Sequence, residues 1–134
     1  MTTIFTKIIN GDIPSYKIAE DENCYAFLDI NPLKAGHTLL VPKSETDYLF
    51  DLNNESYQNL FFFAKKVAIA LKAKVACKRI AIVVLGFEVP HAHIHLIPID
   101  NESEIDFANP RVKLSKDEML SIANDVNKEF LLLS

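Results

Sequence analysis

The chain has 134 residues, and 49% of them are hydrophobic. That suits a single domain, residues 1–134, with one core, and it excludes a chain too polar to fold. The formal net charge of −4 argues against a broad nucleic-acid surface, which needs a basic face, but leaves room for one small anionic ligand.

No apolar run is long enough to cross a bilayer. The opening Met1-Thr2-Thr3-Ile4-Phe5-Thr6-Lys7 lacks a signal-peptide core, so a cytoplasmic protein is expected. Cys24 and Cys77 form no C-x-x-C pair and sit among apolar residues. Buried, unpaired thiols are expected.

In chain order, Asn10-Gly11-Asp12 and Pro14 predict a turn after a short N-terminal helix or strand. Strands are predicted over 16–20, 24–30 and 37–41, the last stopped by Pro42. Leu52-Asn53-Asn54-Glu55 supplies an N-cap for a long helix to about residue 76. Its Leu60, Phe63, Val67 and Leu71 recur at helical spacing and predict packing on a sheet. Lys65, Lys66, Lys72 and Lys74 fit a solvated face. Residues 79–85, rich in β-branched side chains, predict a strand buried on both faces. A connection over 86–90 leads to a strand over 91–97. Ser115 and Glu118 form a capping box before a C-terminal helix over about 116–130. Strands grouped rather than alternating with helices indicate an α+β fold with an antiparallel sheet.

Three of the four histidines, His91, His93 and His95, alternate within five residues. In a strand they share one face, spaced about 6–7 Å apart, while Ala92, Ile94 and Leu96 face the helix. Four readings compete. The histidines form an incidental polar face; they bind a metal such as zinc or iron with help from Glu88; they act as general acids and bases; or one is a nucleophile while the others bind and protonate a phosphate. Closely spaced imidazoles disfavour each other's charging, so at least one keeps a lone pair at neutral pH. Upstream, Asp29-Ile30-Asn31-Pro32 and Gly36-His37-Thr38 place a carboxylate and the fourth histidine around a Pro–Gly loop. A carboxylate there suits the two hydroxyls of a ribose. A capped turn explains Asp29 about as well.

Taken together, Ile4-Phe5-Thr6-Lys7-Ile8-Ile9-Asn10-Gly11-Asp12-Ile13-Pro14, Phe27-Leu28-Asp29-Ile30-Asn31-Pro32, Gly36-His37-Thr38-Leu39 and His91-Ala92-His93-Ile94-His95-Leu96-Ile97-Pro98 closely resemble the histidine triad (HIT) family, and within it the small Hint-like branch. The resemblance implies a HIT-like fold: a five-stranded antiparallel sheet, one long central helix and a C-terminal helix, usually as a homodimer. It implies a nucleotide hydrolase or nucleotidyl transferase acting at the α-phosphate, without cofactor. His93 would attack and carry the nucleotidyl group. His95 would contact the phosphate and assist the leaving group, His91 would help bind phosphate, and His37 would support the cluster. Asp29 would hold the ribose, with Ile30 and Phe27 walling the base. Substrates would be nucleoside phosphoramidates, acyl nucleotides or dinucleoside polyphosphates, giving an AMP- or GMP-like product. The alternatives are a nucleotide-binding or regulatory protein with weak catalysis, and a metalloenzyme built on the histidine strand.

The sequence departs from the family pattern in three places. Many small relatives carry C-x-x-C near the N-terminus, which with histidines holds zinc. Here Thr3 and Thr6 stand there, and hydroxyls are poor zinc ligands, so no metal is expected. The Ser or Thr position beside the phosphate is Glu88, in Gly86-Phe87-Glu88-Val89-Pro90. Its carboxylate would either raise the pKa of a neighbouring imidazole or turn to solvent. The region of the family's Asn-x-Gly loop reads Arg79-Ile80-Ala81-Ile82-Val83-Val84, without an amide side chain. Finally, Phe61, Phe62 and Phe63 cannot all face one core of a helix. At least one should reach a second surface, which suits a dimer contact, and the apolar tail over 130–134 suits packing on a partner subunit.

Overall fold

The computed structural model describes residues 2–133. The elements are α1 (Ile4–Ile9), β1 (Lys17–Glu20), β2 (Cys24–Leu28), β3 (Thr38–Pro42), α2 (Asn54–Lys74), β4 (Arg79–Val83), β5 (Ile94–Ile99) and α3 (Lys116–Leu132), with short 3-10 turns at Leu49–Asp51 and Glu102–Ile105. The five strands form one sheet in the order β1-β2-β3-β5-β4, and every pairing is antiparallel. The expected α+β architecture, with one long helix and a C-terminal helix, is therefore present.

Local chemistry starts the helices. Asn53 accepts the Ser56 N–H at 2.8 Å, and Ser115 and Glu118 close the predicted capping box, satisfying donors that a helix N-terminus leaves free. Thr3 caps α1 in the same way through Thr6 N–H. Leu60, Phe63, Val67 and Leu71 are buried as their spacing predicts. They join Ala26, Leu28, Leu40, Ala92, Ile94 and Leu96 in the larger core, which α3 completes with Met119, Ala123, Val126 and Phe130. The opposite face of the sheet carries a smaller core in which Phe5 and Ile8 of α1 meet Tyr25, Phe27, Leu39 and Val41. Because both faces are covered, β2 and β3 are buried along their whole length.

Two strands differ from the sequence expectation. β4 stops at Val83 rather than residue 85 and is only partly buried. It lies at the sheet edge, where no strand covers one side, and Ile82 is 53% exposed. β5 runs over Ile94–Ile99 rather than 91–97, so His91 and His93 precede the strand. The neighbouring strands explain the shift: β3 pairs only as far as Leu40 with Ile94, and β4 only as far as Val83 with His95. Likewise β2 ends at Leu28, leaving Asp29 and Ile30 in the following loop, and Pro42 is the last residue of β3 rather than its stop.

Gly36 fixes the approach to β3. Its φ is +90°, and an added Cβ would lie 3.1 Å from Val75 Cγ2 and 3.2 Å from Pro98 Cγ. Only glycine fits both conditions. On α2 the Phe run divides as helical geometry requires: Phe63 is buried, Phe61 is half-buried against Tyr57, and Phe62 is 71% exposed. Cys24 is buried and Cys77 half-buried, both as free thiols, so the expectation of burial holds fully only for Cys24.

Candidate active site

The four histidines converge at one end of the sheet. His37 stands just before β3, His95 lies on β5 opposite Leu39, and His91 and His93 come from the loop entering β5. Ring centroids are 5.2 Å apart for His37 and His95, and 5.1 Å for His93 and His95. All four rings are buried. The His93–His95 spacing is tighter than the roughly 6–7 Å of an extended strand, and upstream of it the backbone bends at His91. There His91 N–H donates to Val89 O at 2.8 Å and Ala92 N–H to Thr46 O at 2.7 Å.

Fixed backbone partners determine which nitrogen of each ring carries its proton. Leu33 N–H donates to His37 Nδ1 at 3.1 Å, so Nδ1 is the lone pair and Nε2 carries hydrogen. His37 Nε2–H then donates to His95 Nδ1 at 2.9 Å, which leaves His95 Nε2–H as a donor. His93 Nδ1–H donates to the His91 carbonyl at 2.8 Å, so its Nε2 keeps a lone pair. His91 Nε2–H donates to the Pro42 carbonyl at 2.7 Å, and its Nδ1 takes the Thr3 hydroxyl, 2.7 Å away. A backbone group can play only one role, and the neutral imidazole follows it.

Burial keeps His37, His93 and His95 neutral, since charging them costs solvation. It lowers His37 to about 4, with the Arg111 charge adding to the effect. It lowers His95 to about 3, helped by repulsion from His37 and His93. His93 is also lowered by burial, against the opposing pull of its hydrogen bond to the His91 carbonyl. The site thus presents one bare nitrogen, His93 Nε2, and one N–H donor, His95 Nε2, on adjacent rings.

Asp29 lies at the edge of the cluster. Its Oδ1 accepts the Asn31 N–H at 2.8 Å, the capped turn anticipated from sequence. Its Oδ2 is 3.7 Å from His37 Nε2, a nitrogen already committed to His95. Burial raises the Asp29 pKa, partly offset by the Asn31 N–H. Phe27 is buried in the smaller core, whereas Ile30 is 78% exposed beside Asp29. Glu88 is exposed on the loop before the histidines, yet its charge reaches both His93 and Asp29, adding to the upward shift of Asp29 and partly opposing the burial that lowers His93.

Several side chains escaped the sequence reading. Phe5 meets Phe27 at 5.8 Å, His91 at 5.7 Å and His93 at 5.0 Å between centroids, joining α1 to the histidines. Phe107 packs edge-on against His95 at 5.0 Å and His37 at 6.1 Å. Arg111 stacks over Phe107 and donates to the Asn31 carbonyl at 2.9 Å. The helical register of residues 4–9, with Phe5 and Ile8 inward, was the available signal for Phe5. Residues 106–112 have no periodicity that marks Phe107 or Arg111. A cavity of about 490 Å³ also opens at His93, walled by Tyr48, Phe50, Tyr57, Phe61 and Phe87. Asp29 and Phe27 are not part of it, so His93 stands between a carboxylate side and an aromatic side.

Two groups of residues bear on metal binding. Asp29, His37 and His95 bring one donor atom each within 4.8 Å of one another. A cation between the rings would need lone pairs on both His37 Nε2 and His95 Nδ1. Moving the His37 proton to Nδ1 would set it against Leu33 N–H, so the hydrogen bonding opposes a metal. Glu88 does not join this group. At the N-terminus, the Thr3 hydroxyl is hydrogen-bonded to His91 and the Thr6 hydroxyl to the Glu45 carboxylate. This hard, internally satisfied set does not fit the thiolate-favouring zinc site of the C-x-x-C relatives.

Comparison with known proteins agrees with this geometry. Residues 10–102 match the family model described as HIT domain. An uncharacterized HIT-like protein of Borreliella burgdorferi is 40% identical over 102 residues, 71% of this chain and 73% of that protein. The adenosine 5'-monophosphoramidase hnt1 of Schizosaccharomyces pombe is 33% identical over 132 residues, 96% of this chain and 98% of that protein. Among solved structures, a zinc-bound histidine triad family protein from Mycobacterium smegmatis superposes with a TM-score of 0.82 at 27% identity, covering 99% of this chain and 96% of that one. With the fold, the four converged histidines and these relatives in agreement, the chain belongs to the HIT domain family.

Proposed function

We propose that this protein hydrolyses nucleoside 5'-phosphoramidates, adenosine 5'-phosphoramidate among them, through a nucleotidyl intermediate on His93. The observation that carries the reading is the His93 hydrogen bond to the His91 carbonyl, which leaves Nε2 bare at neutral pH. The Nε2 lone pair would form a bond to the α-phosphorus while the phosphorus–nitrogen bond breaks and its electron pair leaves on the amine. His95 Nε2–H would donate to the phosphoryl or leaving atom as negative charge develops. Water would then attack phosphorus and displace His93. In net terms the water hydroxyl goes to phosphorus and its hydrogen to the amine.

Asp29 Oδ2, free of any backbone donor, is the proposed acceptor for ribose hydroxyls, with exposed Ile30 and buried Phe27 toward the base. His91 contributes through its backbone, and its ring is committed to Thr3 and Pro42. That makes it a positioning residue in this reading rather than the phosphate ligand the resemblance implies. The aromatic cavity beyond His93 suits an uncharged or apolar leaving group. The yeast relative supports the choice of substrate.

A second copy of the chain is the proposed partner. The open β4 edge carries the exposed Ile82, and Ile69 of α2 lies beside it in one apolar groove. Unpaired strand edges of this kind invite pairing. Among the described residues no helix is long and apolar enough to cross a membrane, and the free thiols fit the cytoplasm.

The test is hydrolysis of adenosine 5'-phosphoramidate by the wild type and His93→Ala side by side. Turnover by the wild type alone, with a nucleotidyl adduct on His93 after acid quench, is the expected result. Turnover by His93→Ala overturns the reading. Saturable AMP binding without turnover in the wild type replaces it with a binding role.

A further inference from the structure

Four side chains that never meet the reacting atoms join three distant segments. Glu45 Oε1 accepts the Thr3 backbone N–H at 2.8 Å and the Thr6 hydroxyl. Thr3 Oγ1 accepts the Thr6 N–H at 3.1 Å and gives its own hydrogen to His91 Nδ1 at 2.7 Å. His91 Nε2–H ends the chain on the Pro42 carbonyl at 2.7 Å. The start of α1, the end of β3 with its following turn, and the histidine loop are thereby tied together.

The network reaches the proposed nucleophile in one covalent step. The His91 carbonyl accepts the His93 Nδ1–H, and with both ring nitrogens of His91 anchored its Cα, and the carbonyl attached to it, are held in place. Phe5, two residues after Thr3, lies edge-on to both His91 and His93. The placement of α1 therefore reaches His93 by two routes.

We propose that Thr3, Thr6, Glu45 and His91 form a metal-free clasp that holds His93 in its attacking orientation. The clasp stands where the C-x-x-C relatives use zinc, and its hydrogen-bond chain is complete without an ion. Glu45 supplies a charged acceptor, since the Thr6 hydroxyl and Thr3 N–H hold its carboxyl below the usual range. Charge-assisted hydrogen bonds are the stronger kind. Thr3 translates that anchor into a direction: its oxygen is fixed by Thr6 N–H, and the nearer acceptor for its hydrogen is His91 Nδ1 at 2.7 Å, against the Thr6 hydroxyl at 3.3 Å.

The clasp rests on the reading of His93 as nucleophile, and its test separates the two. Thr3→Val keeps the side-chain shape and removes the hydroxyl, whereas Thr3→Ser keeps the hydroxyl. Misplacement of a reacting group is costly, so Thr3→Val is expected to lower kcat by about 10-fold or more, with KM for adenosine 5'-phosphoramidate within ~2-fold of wild type. Thr3→Ser should recover most of kcat. Nitrogen-15 spectra of the histidines should show His93 as the Nδ1–H form in the wild type and a mixture in Thr3→Val. Purified wild type should contain no stoichiometric zinc and be indifferent to chelator. Wild-type spectra and kcat in Thr3→Val, equal loss in Thr3→Ser, or stoichiometric zinc each overturn the clasp. If wild type fails to turn over, the spectra and metal content still decide it, while His93→Ala decides the function.

Discussion

The four histidines divide into two pairs that use the same ring differently. His37 and His95 are hydrogen-bonded ring to ring; burial, with the Arg111 charge, takes His37 to about 4, and burial, with repulsion from His37 and His93, takes His95 to about 3. His91 and His93 are tied instead to carbonyls of the backbone, Pro42 and His91 itself. The first pair ends in an N–H donor, His95 Nε2, and the second in a lone pair, His93 Nε2. Composition and spacing make the residues equivalent; their fixed partners make one end electrophilic and the other nucleophilic. A backbone amide at one end and a backbone carbonyl at the other are enough to set that polarity.

The largest effect should come from the lone-pair end. His93→Gln keeps a polar side chain of similar length but cannot form the intermediate. Turnover of adenosine 5'-phosphoramidate is expected to fall by at least ~10³-fold, with no adduct after acid quench. Measurable steady-state turnover within tenfold of wild type would erase the distinction between the pairs. The donor end should matter less and depend on the leaving group. His95→Ala is expected to lose roughly 10²-fold with an amine leaving group. The loss should shrink for an acidic phenol, which leaves without help. An equal loss for both leaving groups would mean that His95 serves the phosphate alone.

Asp29 gives a third, smaller contrast, because it lies outside both pairs. Asp29→Asn keeps the turn-forming oxygen for Asn31 and removes the charge. KM should rise by about 10-fold with kcat little changed, as for an interaction made equally in ground and transition states. The same substitution tested on a 2',3'-dideoxy substrate should have no effect on KM. An unchanged ratio between the two substrates would assign Asp29 to the turn rather than to ribose.

The fold was largely legible where local chemistry and burial agree. The Asn53 cap, the Ser115–Glu118 box and the Leu60–Leu71 stripe all appear as their spacing dictates. The alternation of Ala92, Ile94 and Leu96 with the histidines also gave the correct two faces. Legibility failed where position in the sheet overrides composition. Residues 79–83 have the β-branched character of a central strand, yet β4 is an edge. Nothing within the segment states how many neighbours it will have. Conversely β2, for which the sequence predicted only a strand, is buried on both faces because α1 covers the second one. Within the site, the histidines and Asp29 stood out by residue type and spacing. Thr3 was marked only by the family resemblance, and Glu45, Phe107 and Arg111 not at all, since they act through contacts between segments 42 to 88 residues apart or against a loop without periodicity.

The smallest effect concerns stability, and its sign follows from the depressed pKa values. Unfolded histidine titrates near 6.5, whereas folded His37 and His95 titrate at about 4 and about 3. The unfolded chain therefore binds protons first as pH falls. The stabilising preference for neutral rings is fully present above pH 6.5 and is lost progressively below it. His93, also lowered, adds in the same direction. Asp29 opposes them, because its raised pKa lets the folded state take up a proton above the unfolded value. Glu20 and Glu104, both held low by lysine partners, contribute only below about 4.5. From pH 6.5 to 5 the histidines set the loss of stability, with Asp29 opposing it. Urea unfolding should lose about 1–3 kcal/mol across that interval. His95→Gln removes one titrating ring from the ring-to-ring pair and should flatten the slope. An unchanged slope in His95→Gln would show that burial does not hold this ring neutral.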